Sequence, residues 1–249
     1  MTILPLTVSS LAGDGPQSLR RRAARDGYLY LPGLVERPAV LALGRQVLEH
    51  CAELGWLDPT WPLTAARPRP GARGPGYQGP GFTELQRRVQ VLEAFQALGR
   101  EPALLGVLDW LLDGPPRQGL GSLCRVLLPD DPLAITPAHQ DGYYLRREPR
   151  FWIAWLPLSD CALEQGPLAL LPGSHRGGLR RHDGDRAGAT AGVVVSADTR
   201  WAAADLRAGD VLLFHALTVH RSCPNRSRRL RLSADFRYGP VRADALVLR

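Results

Sequence analysis

The chain has 249 residues, of which 45% are hydrophobic and 22% charged, and a formal net charge of +7. That length can bury a substantial core, and no apolar run is long enough to cross a bilayer. All 31 basic residues are arginine, which excludes Schiff-base and P-loop lysine chemistry. The arginines are dispersed apart from Arg20-Arg21-Arg22 and the 226–231 stretch, and no helix-turn-helix or RNA-binding signature accompanies them, so no nucleic-acid partner is expected.

The N-terminus, Met-Thr-Ile-Leu-Pro-Leu-Thr, lacks the basic region and long apolar core of a signal peptide, and the expected location is cytoplasmic. Residues 1–25 read as a loose arm with one short helix. Asp26 to Gly33 reads as a strand ended by a turn. Glu36 to Leu54 places Val40, Leu43, Val47, Leu48 and Cys51 at helical spacing, with Pro38 tolerated in the first turn. The segment 56–82 is crowded with Pro, Gly and Arg and keeps no periodicity. It is a long loop and a candidate lid, with Tyr77 and Phe82 as the groups to close over a ligand. Leu85 to Leu112 returns to amphipathic helix, broken near Gly99 and Pro102.

From residue 120 onward strands dominate: Ser122 to Leu128, Ala134 to Asp141, Phe151 to Leu158, Leu163 to Leu171, Gly192 to Ser196, Val211 to His215 and Leu230 to Tyr238. Short strands between Gly, Pro and Asp turns mark a sandwich or barrel. Helices followed by strands predict an α+β protein, a β core over 120–240 buttressed by residues 1–119, as one domain without internal repeats. Cys51, Cys124, Cys161 and Cys223 form no C-x-x-C pair and read as buried free thiols, not as a zinc knuckle or disulfide framework.

Two patterns carry chemistry. His139 and Asp141, two apart on a strand, share a face and can hold one cation from one side. Two histidines and one carboxylate with open positions form the facial triad of non-haem Fe(II) oxygenases, and His215 and His220 both compete for the missing place. In the last strand, Leu230, Leu232, Ala234 and Phe236 fall on one face. Arg231, Ser233, Asp235 and Arg237 fall on the other, which must meet solvent or a polar cavity. An arginine in such a cavity is a ready fork for a carboxylate.

Six motifs then occur in order. They are Thr136-Pro137-Ala138-His139-Gln140-Asp141, Trp155-Leu156-Pro157-Leu158 and Glu164-Gln165-Gly166-Pro167-Leu168, followed by Leu171-Pro172-Gly173-Ser174-His175, Gly209-Asp210-Val211-Leu212-Leu213-Phe214-His215, and His220 with Ser222, Asn225 and Arg231. Together they resemble the phytanoyl-CoA dioxygenase family across about residues 120–240, with a looser likeness through Asp26-Gly27-Tyr28-Leu29.

The resemblance implies a double-stranded β-helix, or jelly-roll, core and an Fe(II)- and 2-oxoglutarate-dependent dioxygenase that also consumes O2. It favours His220 over His215, making His139, Asp141 and His220 the iron ligands. Arg231, eleven residues beyond His220, would hold the distal carboxylate of 2-oxoglutarate with Ser222. Gln140, Trp155, Thr136, Gly166 and Asn225 match positions around the cosubstrate. Tyr143 and His182 fall on the substrate side, as does Arg125, where many relatives carry a lysine. Trp152 reads as core and His175 as structural.

The implied outcome is hydroxylation of a small molecule with release of succinate and CO2. The dispersed arginines and the arginine-rich 67–73 loop are compatible with an anionic substrate. Desaturation, epimerisation or cyclisation would use the same ligands, and a catalytically silent binding barrel is the alternative from a different class. An aspartate at 141 argues against halogenation, whose enzymes keep a small residue there.

Overall fold

A computed structural model describes residues 2–75, 79–119, 121–131, 135–144, 150–183 and 192–241. Among them, five helices precede most of the strands: α1 (Pro16–Asp26), α2 (Arg37–Glu53), α3 (Pro80–Val89), α4 (Glu93–Leu98) and α5 (Pro102–Leu112). Four of the five start with proline in the first turn, where its missing N–H costs nothing. The strands are β1 (Thr2–Leu4), β2 (Tyr28–Leu31), β3 (Pro116–Gln118), β4 (Leu123–Leu127), β5 (Trp152–Pro157), β6 (Leu168–Leu170), β7 (Arg200–Ala202), β8 (Val211–His215), β9 (His220–Ser222) and β10 (Arg231–Pro240).

The strands form two sheets. The larger runs β2-β8-β5-β10-β3, with β4 also paired to β10, and the smaller runs β1-β7-β6-β9. This is the expected α+β architecture with a jelly-roll core. Alternation along the strands sorts the side chains into layers. Leu29, Trp152, Ala154, Leu156, Leu213, Leu232, Ala234 and Phe236 pack against the helices in one cluster. Tyr28, Tyr30, Ile153, Trp155, Leu212 and Phe214 point the other way and meet Leu168, Leu170 and Ala202 of the smaller sheet. Trp152 is therefore core, as expected, while Trp155 faces the space between the sheets.

Two local devices set the positions that matter later. Gly44 of α2 has the Leu158 carbonyl oxygen 2.1 Å from where a Cβ would stand, so only glycine lets the helix lie this close to the end of β5. The buried Gln86 of α3 accepts from the Cys124 N–H (2.9 Å) and donates to its carbonyl (2.6 Å). Its amide thus occupies backbone groups of β4 that β10 does not pair, and holds the strand bearing Arg125 in place.

Several elements differ from the sequence reading. The N-terminal arm is docked: β1 pairs in parallel with β7, Val8 bridges Tyr30, and Leu6 is buried. The described part of Ala134 to Asp141 is not a strand. His139 makes one isolated bridge to His220, and Asp141 opens a 3-10 turn through Tyr143; residue 134 lies outside the described residues. Gly192 to Ser196 has a single bridge, Asp183 to Gly192, and the true strand is β7 further on. Leu163 to Leu171 begins with a 3-10 turn and is extended only in β6.

The described part of 56–82 packs onto the helical layer. Asp58 N–H bonds the Arg67 carbonyl and Arg69 N–H bonds that of Trp56 (2.9 Å each), and a 3-10 turn spans Leu63–Ala65. Trp56, Leu57 and Ala66 are buried in the helix-side core, and the Ala66 carbonyl accepts from Leu230 N–H. Buried apolar groups hold this segment to the helical layer. Tyr77 lies outside the described residues, and Phe82 belongs to the first turn of α3.

Candidate iron and 2-oxoglutarate site

His139 and His220 are brought together by backbone pairing. The N–H of each bonds the carbonyl of the other at 2.9 Å, and the rings stand 4.1 Å apart between centroids. Each imidazole is oriented by its own chain two residues back. His139 Nδ1 lies 2.8 Å from the Pro137 carbonyl oxygen, and His220 Nδ1 lies 3.0 Å from that of Thr218. A carbonyl can only accept, so both rings carry hydrogen on Nδ1 and turn Nε2 outward. Burial, reinforced by the neighbouring His139, pushes the His220 pKa down to about 3, so this ring is neutral and fit to ligate.

Asp141 completes the set. Its Oδ1 is 3.3 Å from His139 Nε2 and 3.6 Å from His220 Nε2, and the three donor atoms lie within 4.8 Å of one another. Burial opposes the charge on this carboxyl, but the Arg237 guanidinium, the His139 contact and His220 outweigh it and hold its pKa well below the usual carboxylate range. Two imidazole Nε2 atoms and one ionised carboxylate, all buried, form a donor set suited to Fe(II). Among the described residues no other group of three or more such side chains converges in this way.

The donors line a small pocket between the sheets. Its other walls include Thr136, Ile153, Trp155, Leu168, Phe214, Ser222, Arg231, Arg125, Asp235 and Arg237. Arg231 is buried. It donates to Ser233 Oγ (2.5 Å) and lies 5.8 Å from the Trp155 ring centroid, while its Nε has no partner and no carboxylate pairs with it among the described residues. A buried, unpaired guanidinium is costly unless an anion completes it, so the residues present fit a carboxylate-bearing cosubstrate as well as a metal. Arg125 is committed to Asp235 (2.6 Å) and Arg237 to Asp141 (2.9 Å).

Within these walls the structure unites His139, Asp141, His220, Arg231, Ser222, Trp155, Thr136 and Arg125. Gln140, Asn225, Tyr143 and His182 are not among the lining residues. The Gln140 amide donates to the carbonyls of Gly178 and Leu217 and accepts from Arg180 N–H. Asn225 donates to Leu127 and Arg229 carbonyls and accepts from Ser227. Gly166 is at φ +77°, where a Cβ would fall 2.5 Å from the Cys223 carbonyl oxygen; close approach of two chain segments explains it. Tyr143 stacks on His182 with ring centroids 4.2 Å apart, and His182 Nε2 accepts from Gln140 N–H.

His215 points away from the donors, toward Trp152 and His175, and is no rival to His220. On the polar face of the last strand, Asp235 and Arg237 were expected to pair with each other or to rim the pocket; both line it, but Asp235 pairs with Arg125 and Arg237 with Asp141. Their signal was the unbroken polar alternation of that strand.

The sequence model of the family described as Phytanoyl-CoA dioxygenase (PhyH) matches residues 23–233. The chain belongs to the phytanoyl-CoA dioxygenase family. It is accordingly a non-haem Fe(II)- and 2-oxoglutarate-dependent oxygenase. Within this family it is similar to the 1-deoxypentalenic acid 11-beta-hydroxylase of Streptomyces arenae, 29% identical over 243 residues, covering 92% of this chain and 82% of the relative. Two solved structures share the fold. The epimerase SnoN, in complex with Fe3+, alpha ketoglutarate and nogalamycin RO, has a TM-score of 0.64 at 22% identity, covering 90% of this chain and 83% of its own. EvdO2 from Micromonospora carbonacea var. aurantiaca, complexed with 2-oxoglutarate, has a TM-score of 0.64 at 20% identity, covering 95% and 93%. No helix among the described residues of this phytanoyl-CoA dioxygenase family member is long and apolar enough to cross a membrane.

Proposed function

We propose that this chain hydroxylates a small organic molecule, coupling that reaction to conversion of 2-oxoglutarate and O2 into succinate and CO2. The observation that carries the proposal is the pairing, in one cavity, of a convergent His-Asp-His donor set with a buried arginine whose Nε has no hydrogen-bond partner among the described residues. Bound Fe(II) supplies the oxidising chemistry by combining 2-oxoglutarate with O2.

The chain's own contribution is placement. His139 Nε2, His220 Nε2 and Asp141 Oδ1 would hold the metal as a facial donor set. Arg231, whose Nε is unpartnered, would hold the distal carboxylate of 2-oxoglutarate, with the Thr136 and Ser222 side chains within the same walls. Ile153, Trp155, Leu168 and Phe214 close the cavity with apolar surface and keep bulk water from the reacting centre. Tyr143 and His182, stacked on each other beside Gln140, would meet the substrate at the edge of the site.

The cavity's three arginines outnumber its two aspartates, and a dianionic cosubstrate offsets a dication. The surplus positive charge favours a neutral or singly anionic substrate, such as a carboxylic acid of the kind the Streptomyces hydroxylase is named for. Hydroxylation is preferred to epimerisation because the hydroxylase matches 92% of this chain at 29% identity, whereas the epimerase shares the fold at 22%.

The test is incubation of Fe(II)-loaded protein with 2-oxoglutarate, O2 and a panel of polycyclic carboxylic acids that includes 1-deoxypentalenic acid. Succinate formation stimulated by a panel member, with a product heavier by one oxygen atom derived from O2, supports the proposal. Stimulated succinate formation with a product lighter by two hydrogens, or of unchanged mass, overturns hydroxylation but not the cosubstrate. No 2-oxoglutarate binding by the folded, Fe(II)-loaded protein overturns both.

A further inference from the structure

We infer that Arg237 is a positioning residue that divides the work of the two Asp141 oxygens, keeping one for the metal and holding the other away from it. The inference rests on the reading of His139, Asp141 and His220 as metal ligands. Oδ1 of Asp141 faces both histidine Nε2 atoms, while Oδ2 accepts a hydrogen bond from Arg237 Nε at 2.9 Å. The pair is dry: the two side chains are 11% and 6% exposed.

Local backbone does not supply this orientation. Asp141 lies at the start of a 3-10 turn, and a carboxylate's terminal torsion is broad and two-fold, so either oxygen or both can turn toward a cation. The restraint comes from across the core. Arg237 lies on β10 opposite Ile153 and points between the sheets. Its guanidinium also donates from Nη1 to the Gly121 carbonyl, and its own carbonyl accepts from Gly119 N–H at 2.6 Å. Both the side chain and the backbone of Arg237 are thereby fixed by the segment between β3 and β4.

The division has a chemical consequence. In an octahedral site three protein donors leave three positions, enough for a chelating keto acid and O2. A carboxylate bound through both oxygens would take one of these. Hydrogen bonding of Oδ2 to a cation makes that mode unfavourable.

The experiment compares apo wild type with Arg237→Gln and Arg237→Lys, each titrated anaerobically with Fe(II) alone and Co(II) alone. Affinity is read by equilibrium dialysis and coordination by the Co(II) d–d absorption. Arg237→Gln is expected to bind Fe(II) about 10–100-fold more weakly, the range usual for groups that support a ligand. Its Co(II) spectrum is expected to shift as the second oxygen joins the metal, and Arg237→Lys, which keeps the charge and one donor, is expected to recover part of both.

Wild-type affinity together with an unchanged Co(II) spectrum in Arg237→Gln overturns the inference. Should Arg237→Gln fail to fold, the Co(II)-bound wild-type crystal structure decides. Asp141 bound through Oδ1 alone, with Oδ2 on Arg237, supports the clamp; both oxygens on the metal overturn it. A wild type that binds neither ion overturns the ligand assignment and the clamp with it, whereas a wild type that binds beside an indifferent Arg237→Gln overturns the clamp alone.

Discussion

His139 and His220 exchange both of their backbone hydrogen bonds, at 2.9 Å each, although no strand extends through His139. One bridge thus sets the spacing of the two imidazoles, and the carbonyls of Pro137 and Thr218 set their rotation. Replacing His139 or His220 by alanine removes a donor that nothing else in the cavity replaces. Each variant is expected to lose Fe(II) affinity by more than the roughly 10–100-fold typical of supporting residues. Both should also lose the metal-to-cosubstrate charge-transfer absorption under anaerobic conditions. His215→Ala is expected to keep that absorption; its loss there would mean that the second histidine ligand is misassigned.

Arg231 offers a prediction with opposite signs in two measurements. Its guanidinium is buried without a carboxylate, so the apo protein carries the cost of an uncompensated charge. Arg231→Gln is expected to weaken 2-oxoglutarate binding about 10–100-fold, corresponding to charge-assisted hydrogen bonds of roughly 1.5–3 kcal/mol. The thermal midpoint of the apo variant should be unchanged or raised. Unchanged affinity for 2-oxoglutarate would show that another cation holds the distal carboxylate.

The pH dependence of stability should carry the mark of His215. Burial, aided by the neighbouring His175, lowers its pKa from 6.5 to about 4, and its Nδ1 accepts a hydrogen bond from Leu217 N–H at 3.2 Å. Protonation at Nδ1 would break that bond. The unfolded chain therefore binds the proton more readily than the folded one, and stability is full above pH 6.5 and declines as pH falls toward 4. The loss attributable to this residue is at most about 3 kcal/mol. Denaturant unfolding across this range should show a shallower decline in His215→Asn, and an identical decline would remove His215 as the cause.

Side-chain pattern carried the site further than it carried the secondary structure. The alternation of β10 sorted Arg231, Asp235 and Arg237 from Leu232, Ala234 and Phe236 correctly, because a strand between a helical layer and a cavity must have two unlike faces. Its partners were not legible: Arg125 meets Asp235, and Asp141 meets Arg237, across 110 and 96 residues of sequence. Strands β1, β3, β7 and β9, each of three residues like β6, are too short to show a period. The supposed strand at Ala134 to Asp141 looked regular because its residue types suit extension. What its described part forms is an extended approach to a turn, and the turn lets His139 and Asp141 converge. Proline and glycine in 56–82 suggested a loop, correctly, but they hid the burial of Trp56 and Leu57 that holds it down.

Gln140, between the two sequence-adjacent ligands, is expected to matter more for order than for contact. It is fully buried. Its amide satisfies the carbonyls of Gly178 (2.9 Å) and Leu217 (2.6 Å) and the N–H of Arg180 (2.7 Å), tying the ligand loop to two other segments. Gln140→Leu keeps much of the volume but strands these three backbone groups, at a cost of about 1–3 kcal/mol for each one that water cannot reach. A metal that binds only the folded state raises the thermal midpoint in proportion to its affinity. The variant should therefore unfold at lower temperature and gain less from added Mn(II) than the wild type does, since the loop that presents His139 and Asp141 is no longer held in register. A variant with a lower midpoint but an undiminished Mn(II) shift would show that Gln140 supports the fold without ordering the site.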